Sequence, residues 1–169
     1  MFILRNYQGF TLLELLVVLG VTIILTLVSV PTFVSLVQRH RLTATAENFY
    51  YELQYARTEA IKRNATVYVS FTTGDNWCYG VNVGSNCNCG TAGSCSLGTV
   101  SANAPQQVSI SQSGYGNGYI AFEGTHGGAN ASGSVTFTLY QQTSLITISI
   151  GLMGNAQMCS TGIGGYTAC

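Results

Sequence analysis

Positive charge is missing from most of this chain. Only 7% of its 169 residues are charged, and the formal net charge is zero. All of the basic residues lie at or before Arg63, and beyond that position the only acids are Asp75 and Glu123. Nucleic-acid affinity comes mainly from lysine and arginine side chains that neutralise phosphates. The C-terminal two-thirds therefore lacks the composition of a polyanion-binding surface, which argues against DNA binding.

Residues suited to catalysis are equally few. His40 and His126 are the only histidines, and neither stands in a spacing that indicates a nucleophile, a base and an orienting acid. Asp75 and Glu123 are too few and too scattered for a calcium cage. The glycine-rich loops lack the Lys-Ser/Thr ending of a P-loop. We predict no catalytic residue, no metal and no cofactor, hence not an enzyme, and we expect His126 to be exposed in its loop.

Ionisable groups are also nearly absent from the N-terminal segment. Between Phe10 and Val37 the only one is Glu14, and a stretch of about 20 apolar residues is enough to cross a bilayer. No small-x-small cleavage site of a secretory signal peptide follows the apolar run. We therefore predict a retained transmembrane helix over residues 10–37. The positive-inside rule gives no orientation, because Arg5 on one flank is balanced by basic residues on the other.

The single acid in this apolar run needs an explanation. An ionised carboxylate in the middle of a membrane helix costs about 2.5 to 3.5 kcal/mol on insertion scales, so an intramembrane acid indicates a function. The alternative is that Glu14 lies near the membrane edge and reaches water. Composition alone leaves both interpretations open.

The helix is expected to continue beyond the membrane. Periodicity predicts an amphipathic segment over residues 38–63, and thus one helix from Thr11 to about Lys62. Pro31 removes a backbone donor, so we expect a bend within this helix. The apolar stripe that a sheet must cover consists of Leu42, Ala46, Phe49, Leu53, Ala56 and Ala60. Four charged residues are expected outside the stripe: Arg57, Glu59, Lys62 and Arg63.

Three hydroxyl side chains interrupt the apolar run, at Thr22, Thr26 and Ser29. A hydroxyl in a helix can bond back to a carbonyl of the preceding turn or reach a neighbouring helix. We expect back-bonding within the same helix.

From residue 64 onward the hydrophobic period changes from helical to two. The segments "ATVYVSFT" and "NWCYGVNV", joined by "TTGD", predict a β-hairpin. Further strands are predicted at "QQVSISQ", "GYIAFE", "SVTFTLY" and "SLITISI", with a short finish around "NAQMC". Residues 84–104 and the segment "EGTHGGANASG" are predicted as loops. The predicted class is α+β: one long helix packed on antiparallel sheet, with a β-rich head over residues 64–169.

The cysteines all lie in this head, at Cys78, Cys87, Cys89, Cys95, Cys159 and Cys169. An even count in a segment rich in glycine, serine and asparagine indicates disulfides and an oxidising compartment. A zinc site built from the first four cysteines is the alternative, but their spacing lacks the paired C-x2-C knuckles of such sites. The only pairing that we predict joins Cys159 to Cys169, which are close in sequence and separated from the others.

The stretch "GFTLLELLVVLG", which begins at Gly9, resembles the N-terminus of type IV pilins and type II secretion pseudopilins. The resemblance implies that residues 1–9 form a leader, that a prepilin peptidase cleaves after Gly9, and that the new amino group on Phe10 is methylated. It also implies that Glu14 pairs with the amino terminus of a neighbouring subunit as filaments assemble. The leader "MFILRNYQG" departs from the usual basic form because it contains one arginine.

A second segment, "ENFYYELQYARTEAIKRNATVYV", resembles the GspH/FimT group of minor pilins and pseudopilins. This resemblance implies the type IV pilin fold and a low-abundance subunit that primes or caps a filament. It also implies a single-pass protein of the inner membrane with a periplasmic head, which enters a pilus or pseudopilus with other pilins as partners. We favour the pilus, because disulfides suit an exported head. A minor pseudopilin of type II secretion is the alternative.

A DNA receptor for natural transformation is a function of a different class. Some FimT-type proteins are thought to bind DNA through a basic Gly-Arg-x-Arg motif in the tail. The comparable segment here, which begins at Gly154, is "GNAQ", and both arginines are absent. Only Arg57, Lys62 and Arg63 remain for weak phosphate contacts. The sequence therefore disfavours this function.

Overall fold

The computed structural model of this chain describes residues 9–102, 108–139 and 143–169. Side chains at positions 28 and 30–32 lie outside this description, as does the predicted leader apart from Gly9. The chain divides into two compact units between Val37 and Gln38.

One helix, α1, covers Leu12–Arg63 and has 52 residues. The prediction of a single helix from Thr11 to about Lys62 is therefore confirmed. The helical backbone continues through Pro31, whose side chain is not described, so the bend stays a prediction. Within the described part of the chain, no helix has the combination of length and apolar character that a membrane crossing requires.

The second half of α1 buries the predicted apolar stripe, because residues three and four positions apart share one helix face. None of the stripe's side chains is more than 1% exposed: Leu42, Ala46, Phe49, Leu53, Ala56 and Ala60. The prediction that Glu59 lies outside the stripe is wrong, since only 6% of this residue is exposed. Glu59 adjoins the buried Ala60, and ion pairs with Lys62 and Arg63 neutralise its carboxylate there.

The described residues form two β-sheets. In chain order the strands are β1 Val67–Phe71, β2 Cys78–Val83, β3 Gly98–Ser101, β4 Val108–Ser113, β5 Tyr119–Phe122, β6 Gly133–Leu139, β7 Leu145–Ile150, β8 Ala156–Thr161 and β9 Thr167–Ala168. Sheet A has the strand order β3-β2-β1-β5, and sheet B has the order β4-β6-β7-β8-β9. Neighbouring strands are antiparallel, except that β8 and β9 are parallel. The α+β class is thus confirmed.

Alternation along the strands decides which faces meet the helix. In β6, Val135, Phe137 and Leu139 are buried, whereas the residues between them are half-buried, as expected when successive side chains point to opposite faces. The inward faces of both sheets and the stripe of α1 belong to one hydrophobic core.

Aromatic rings connect the three layers of this core. The Phe49 ring of α1 lies 5.1 Å from the Tyr79 ring of sheet A and 5.5 Å from the Phe137 ring of sheet B, measured between centroids. Trp77 stacks on Tyr79, and its Nε1 donates a hydrogen bond to the Val108 carbonyl at 2.9 Å. The buried indole nitrogen therefore has a partner, as burial of a polar group requires.

The predicted hairpin is β1–β2, and the other predicted strands are confirmed as β4 to β8. Positions 106, 107 and 140 of the predicted segments lie outside the described residues. Two strands were missing from the prediction. Strand β3 lies inside the segment 84–104, which is predicted as a loop; all four of its residues are exposed, so no alternation of apolar residues indicates it. It forms because the backbone pairs with β2, from Cys78 opposite Ser101 to Val81 opposite Gly98. Strand β9 has two residues and pairs with β8.

Candidate functional site

The first turn of α1 carries the residues of the N-terminal motif. Gly9 and Phe10 precede the helix, and the Phe10 side chain is 81% exposed. The Glu14 backbone N–H donates a hydrogen bond to the Thr11 hydroxyl at 3.2 Å. The Thr11 hydroxyl therefore acts as an N-cap, because it satisfies a free amide at the start of the helix. The motif thus determines where α1 begins as well as where its acid lies.

The Glu14 carboxylate is unpaired. It lies in the first turn of α1, where the helix dipole favours negative charge. Among residues 9–102, 108–139 and 143–169 it has no hydrogen-bond or ion-pair partner. Its neighbours Leu13 and Leu15 are 73% and 56% exposed, so the acid stands in an apolar surface. Such a carboxylate is free to form an ion pair with a cation of another molecule.

Hydroxyl groups in this part of α1 are satisfied within the helix. Thr22 donates to the Val18 carbonyl at 2.7 Å, and Ser29 donates to the Leu25 carbonyl at 2.8 Å. Thr26 makes the equivalent bond to the Thr22 carbonyl at 3.0 Å. The prediction of back-bonding is confirmed.

The end of α1 holds a compact charge cluster. Lys62 Nζ donates to Glu59 at 3.0 Å, and Arg63 Nε donates to the same carboxylate at 2.5 Å. The hydrogen bond from Arg63, followed by that from Lys62, lowers the pKa of Glu59 below its ordinary value. Both basic residues are therefore engaged, which leaves them less available for the phosphate contacts considered from the sequence.

From the sequence Arg57 was considered only for weak phosphate contacts, but in the structure it connects α1 to two loops. Its Nε donates to the Gly127 carbonyl at 3.1 Å, and its Nη2 donates to the Met153 carbonyl at 3.0 Å. One loop joins β5 to β6, and the other joins β7 to β8. No local spacing relates these carbonyls to Arg57, so the sequence contains no signal for this contact.

Gly154 makes the close approach of the two loops possible. Its φ is +73°, and an added Cβ would overlap the Gly127 carbonyl oxygen. A left-handed backbone with no room for a side chain is a position that only glycine fits well. The same residue begins the "GNAQ" segment compared above with a basic tail motif; in this chain the segment follows a tight turn beneath Arg57.

The six cysteines form three disulfides: Cys78–Cys89, Cys87–Cys95 and Cys159–Cys169. The third is the pairing predicted from the sequence. The first two use all four cysteines of the alternative zinc site, so this set of thiolates is not available to a metal. They close the β2–β3 loop over the outer face of sheet A, where a Cβ added at Gly80 would lie 2.5 Å from the Cys95 sulfur.

The C-terminal disulfide loop contacts α1. The Tyr166 hydroxyl donates to the Glu47 carboxylate at 2.5 Å. Burial, with a smaller effect from Glu47, raises the pKa of Tyr166 to about 12. The bond attaches the last strand region to the helix.

His40 and His126 are both exposed. The expectation for His126 is confirmed. The candidate functional residues are therefore those of the first turn of α1 and Arg57 with its two loop carbonyls, rather than the histidines.

Known protein families and structures match most of the chain. The family model of the type II transport protein GspH matches residues 45–154, and the prokaryotic N-terminal methylation motif matches residues 4–30. The type IV minor pilin FimU of Pseudomonas aeruginosa strain PAO1 is similar in structure. One crystal form has a TM-score of 0.53 and 18% identity, covering 71% of this chain and 89% of that chain. A second crystal form has a TM-score of 0.51 and 17% identity, covering 69% and 90%. No curated protein sequence matches the chain. The likeness to FimU confirms the predicted type IV pilin fold.

Proposed function

Because the chain belongs to the GspH family and carries the N-terminal methylation motif, we propose that it is a minor type IV pilin. In this role it is a low-abundance structural subunit that primes a pilus, or assembles into it, through α1 and Glu14. Members of this family are pilin-like and pseudopilin-like structural proteins. The chain accordingly acts by binding other subunits and not by catalysis.

The unpaired Glu14 carboxylate is the observation that carries the proposal. It lies one helical turn from Phe10, within an exposed apolar surface. A lone charge in lipid is costly until a cation meets it. After cleavage at Gly9, the amino group on Phe10 of a neighbouring subunit supplies that cation. Pairing therefore stabilises the register in which the acid of one helix meets the amino group of the other, and other registers leave the charge unpaired.

Processing and location follow from the same motif. A prepilin peptidase removes residues 1–9, and Phe10 is then methylated. Residues 10–37 hold the chain in the inner membrane, and the head faces the periplasm until the subunit enters a filament. Three disulfides in the head support this location, because they persist in oxidising compartments.

A minor pseudopilin of type II secretion is the second candidate, and the description of the matched family favours it. The two machines share the helix chemistry and the head architecture. We place the pilus first because a disulfide-braced head with few charges suits a filament exposed outside the cell. A DNA receptor is not favoured, because Lys62 and Arg63 bind Glu59 and Arg57 binds two backbone carbonyls.

Cross-linking of the full-length protein in its native membrane separates these candidates. The cross-linked partners are identified by mass spectrometry, and the same spectra report whether the chain begins at a methylated Phe10. Type IV pilins as partners support the proposal. Secretion pseudopilins move the protein to the other machine, and recovery without any filament subunit contradicts both.

Variants at Glu14 test the mechanism directly. Glu14→Leu should enter filaments at least tenfold less than the wild type, because the insertion penalty of about 2.5 to 3.5 kcal/mol no longer drives pairing. Glu14→Asp is the matched control, since it keeps the charge and should retain most assembly. Wild-type incorporation of Glu14→Leu would exclude a role for this acid.

A further inference from the structure

A surface cavity of about 350 Å³ lies on the outer face of sheet A. Val67 and Val69 of β1 point into the core, so Tyr68 between them points outward. Tyr119 of β5 lies on the same face, and the two tyrosine rings meet edge to face with centroids 5.4 Å apart. Binding sites for small groups commonly have volumes of roughly 300 to 1,000 Å³, so the cavity is large enough to hold a side chain.

One wall of the cavity carries a negative charge. Ala121 lies opposite Tyr68 in the β1–β5 pairing, and Glu123 follows two positions later, next to the same cavity. The Glu123 carboxylate has no ion-pair or hydrogen-bond partner in the described part of the chain. The described residues that line the cavity include no basic side chain. The site therefore combines an unpaired carboxylate with two aromatic rings.

The walls are held by hydrogen bonds. Ala129 N–H donates to the Leu152 carbonyl at 2.9 Å, which joins the two loops beside the cavity. Asn130 Oδ1 accepts from Ala121 N–H at 2.8 Å, which attaches one loop to β5. Arg57 binds the carbonyls of the residues next to these walls, at Gly127 and Met153. A site fixed before binding loses less entropy when its ligand arrives.

This chemistry selects an organic cation. An ammonium group placed over a tyrosine face gains about 0.5 to 1 kcal/mol at an exposed site, and a nearby carboxylate adds attraction. A divalent metal needs more oxygen ligands than one carboxylate supplies, and an anion is repelled. Leu152 and Met153 beside the cavity are 62% and 79% exposed, which offers apolar contact to a longer ligand.

We infer that this cavity binds the lysine side chain of a partner polypeptide, with the ammonium group against Glu123 and the tyrosine rings and the aliphatic stem along Leu152. The only lysine of this chain is Lys62, which binds Glu59. Because this single lysine already has a carboxylate partner, we take the occupant to be a lysine of a different protein. The inference goes beyond the filament role, because it concerns the head and does not involve Glu14.

An NMR titration of the full-length protein in detergent micelles tests the cation preference. The probes are N-acetyl-lysine methylamide and the uncharged N-acetyl-norleucine methylamide. The lysine probe should bind about fivefold or more tightly than the norleucine probe and should shift the signals of Tyr68, Tyr119 and Glu123. Equal affinity for the two probes would overturn the inference.

Matched variants assign the effect to the site. Glu123→Gln should weaken lysine-probe binding about twofold to fivefold, whereas Asp75→Asn removes the same charge from the β1–β2 turn and should leave binding unchanged. Tyr119→Leu should weaken binding, and Tyr119→Phe should retain it because the ring face remains. Equal behaviour of the Glu123 and Asp75 variants, or of the two Tyr119 variants, contradicts a specific site. Glu14→Leu should bind the lysine probe normally, so failure of the filament role and failure of this site are distinguishable.

Zero-length coupling identifies the source of the ammonium group. In native membranes a carbodiimide condenses a carboxylate with an amine in contact with it, forming an amide while the carbodiimide takes up water to give a urea. A Glu123 peptide joined to a lysine of another protein supports the inference. Glu123 joined only to a small free amine, or recovered uncoupled while other carboxylates react, contradicts a partner polypeptide.

Discussion

The Nε of Arg57 in α1 donates a hydrogen bond to the carbonyl oxygen of Gly127, 70 positions further along the chain, over 3.1 Å. Its Nη2 reaches the Met153 carbonyl at 3.0 Å. One side chain therefore connects the helix to two loops that are remote from it in sequence. The stability of the head should therefore depend on the Arg57 side chain.

Replacing Arg57 tests that dependence. Arg57→Gln should lower the free energy of unfolding by about 2 kcal/mol, because both hydrogen bonds to the charged group are lost. Urea unfolding of the full-length protein in micelles, followed by the fluorescence of Trp77, measures the change. Arg39→Gln is the control, since Arg39 is exposed on the same helix. An equal effect of the two substitutions would show that the contact contributes little.

Gly154 should tolerate no side chain. Gly154→Ala is expected to lower the free energy of unfolding by about 2 kcal/mol or more, because the φ of +73° is strained for alanine and the Cβ meets the Gly127 carbonyl. Gly164→Ala is the matched control, because a Cβ at Gly164 has no neighbour within 4 Å. The same unfolding experiment compares them, and a neutral Gly154 variant would contradict the close approach of the loops.

Two acids of α1 should affect stability with opposite dependence on pH. The ion pairs lower the pKa of Glu59, so its contribution is present above the ordinary value of about 4.5 and is lost as the pH falls through the folded-state pKa. Glu59→Gln should therefore lower the melting temperature at pH 7. The melting temperature of this variant should also fall less than that of the wild type when the pH is lowered.

Burial instead raises the pKa of Glu52. Its contribution is present at low pH and is lost as the pH rises through the raised pKa. Glu52→Gln should accordingly increase the melting temperature at pH 7 and have little effect near pH 3. Thermal unfolding of both variants at pH 7 and pH 3 tests these two predictions. Melting temperatures that change in the same direction in the two variants at pH 7 would contradict the opposite pKa shifts of Glu59 and Glu52.

The disulfide between Cys159 and Cys169 closes a short loop that carries Tyr166. Replacing both cysteines by serine should lower the free energy of unfolding by about 2 to 3 kcal/mol, as expected for a loop of this length. Tyr166→Phe removes only the hydrogen bond to Glu47 and should cost about 1 kcal/mol. Peptide mapping of the non-reduced protein provides the control on connectivity. A different set of pairs would contradict the arrangement of the head.

Local patterns in the sequence were sufficient for most elements of the fold. The spacing from Leu42 to Ala60 identified the buried face of α1, and alternation identified β1, β2 and β4 to β8. Strand β3 escaped because its exposed residues show no alternation, and it is held by backbone bonds to β2. Glu59 was predicted outside the buried stripe because a periodicity argument considers only the polarity of each residue. In the structure Lys62 and Arg63 pair with its carboxylate, and these ion pairs allow it to be buried.

By itself the sequence determined the start of α1 and the position of Glu14 in an apolar run, and it indicated that the cysteines form disulfides, because each of these depends on neighbours along the chain or on composition. The tertiary structure alone decided which cysteines pair between residues 78 and 95, that Arg57 joins two loops, and that Tyr68, Tyr119 and Glu123 surround one cavity. These relationships depend on strand register and on contacts between distant segments. Neither is encoded in the spacing of nearby residues.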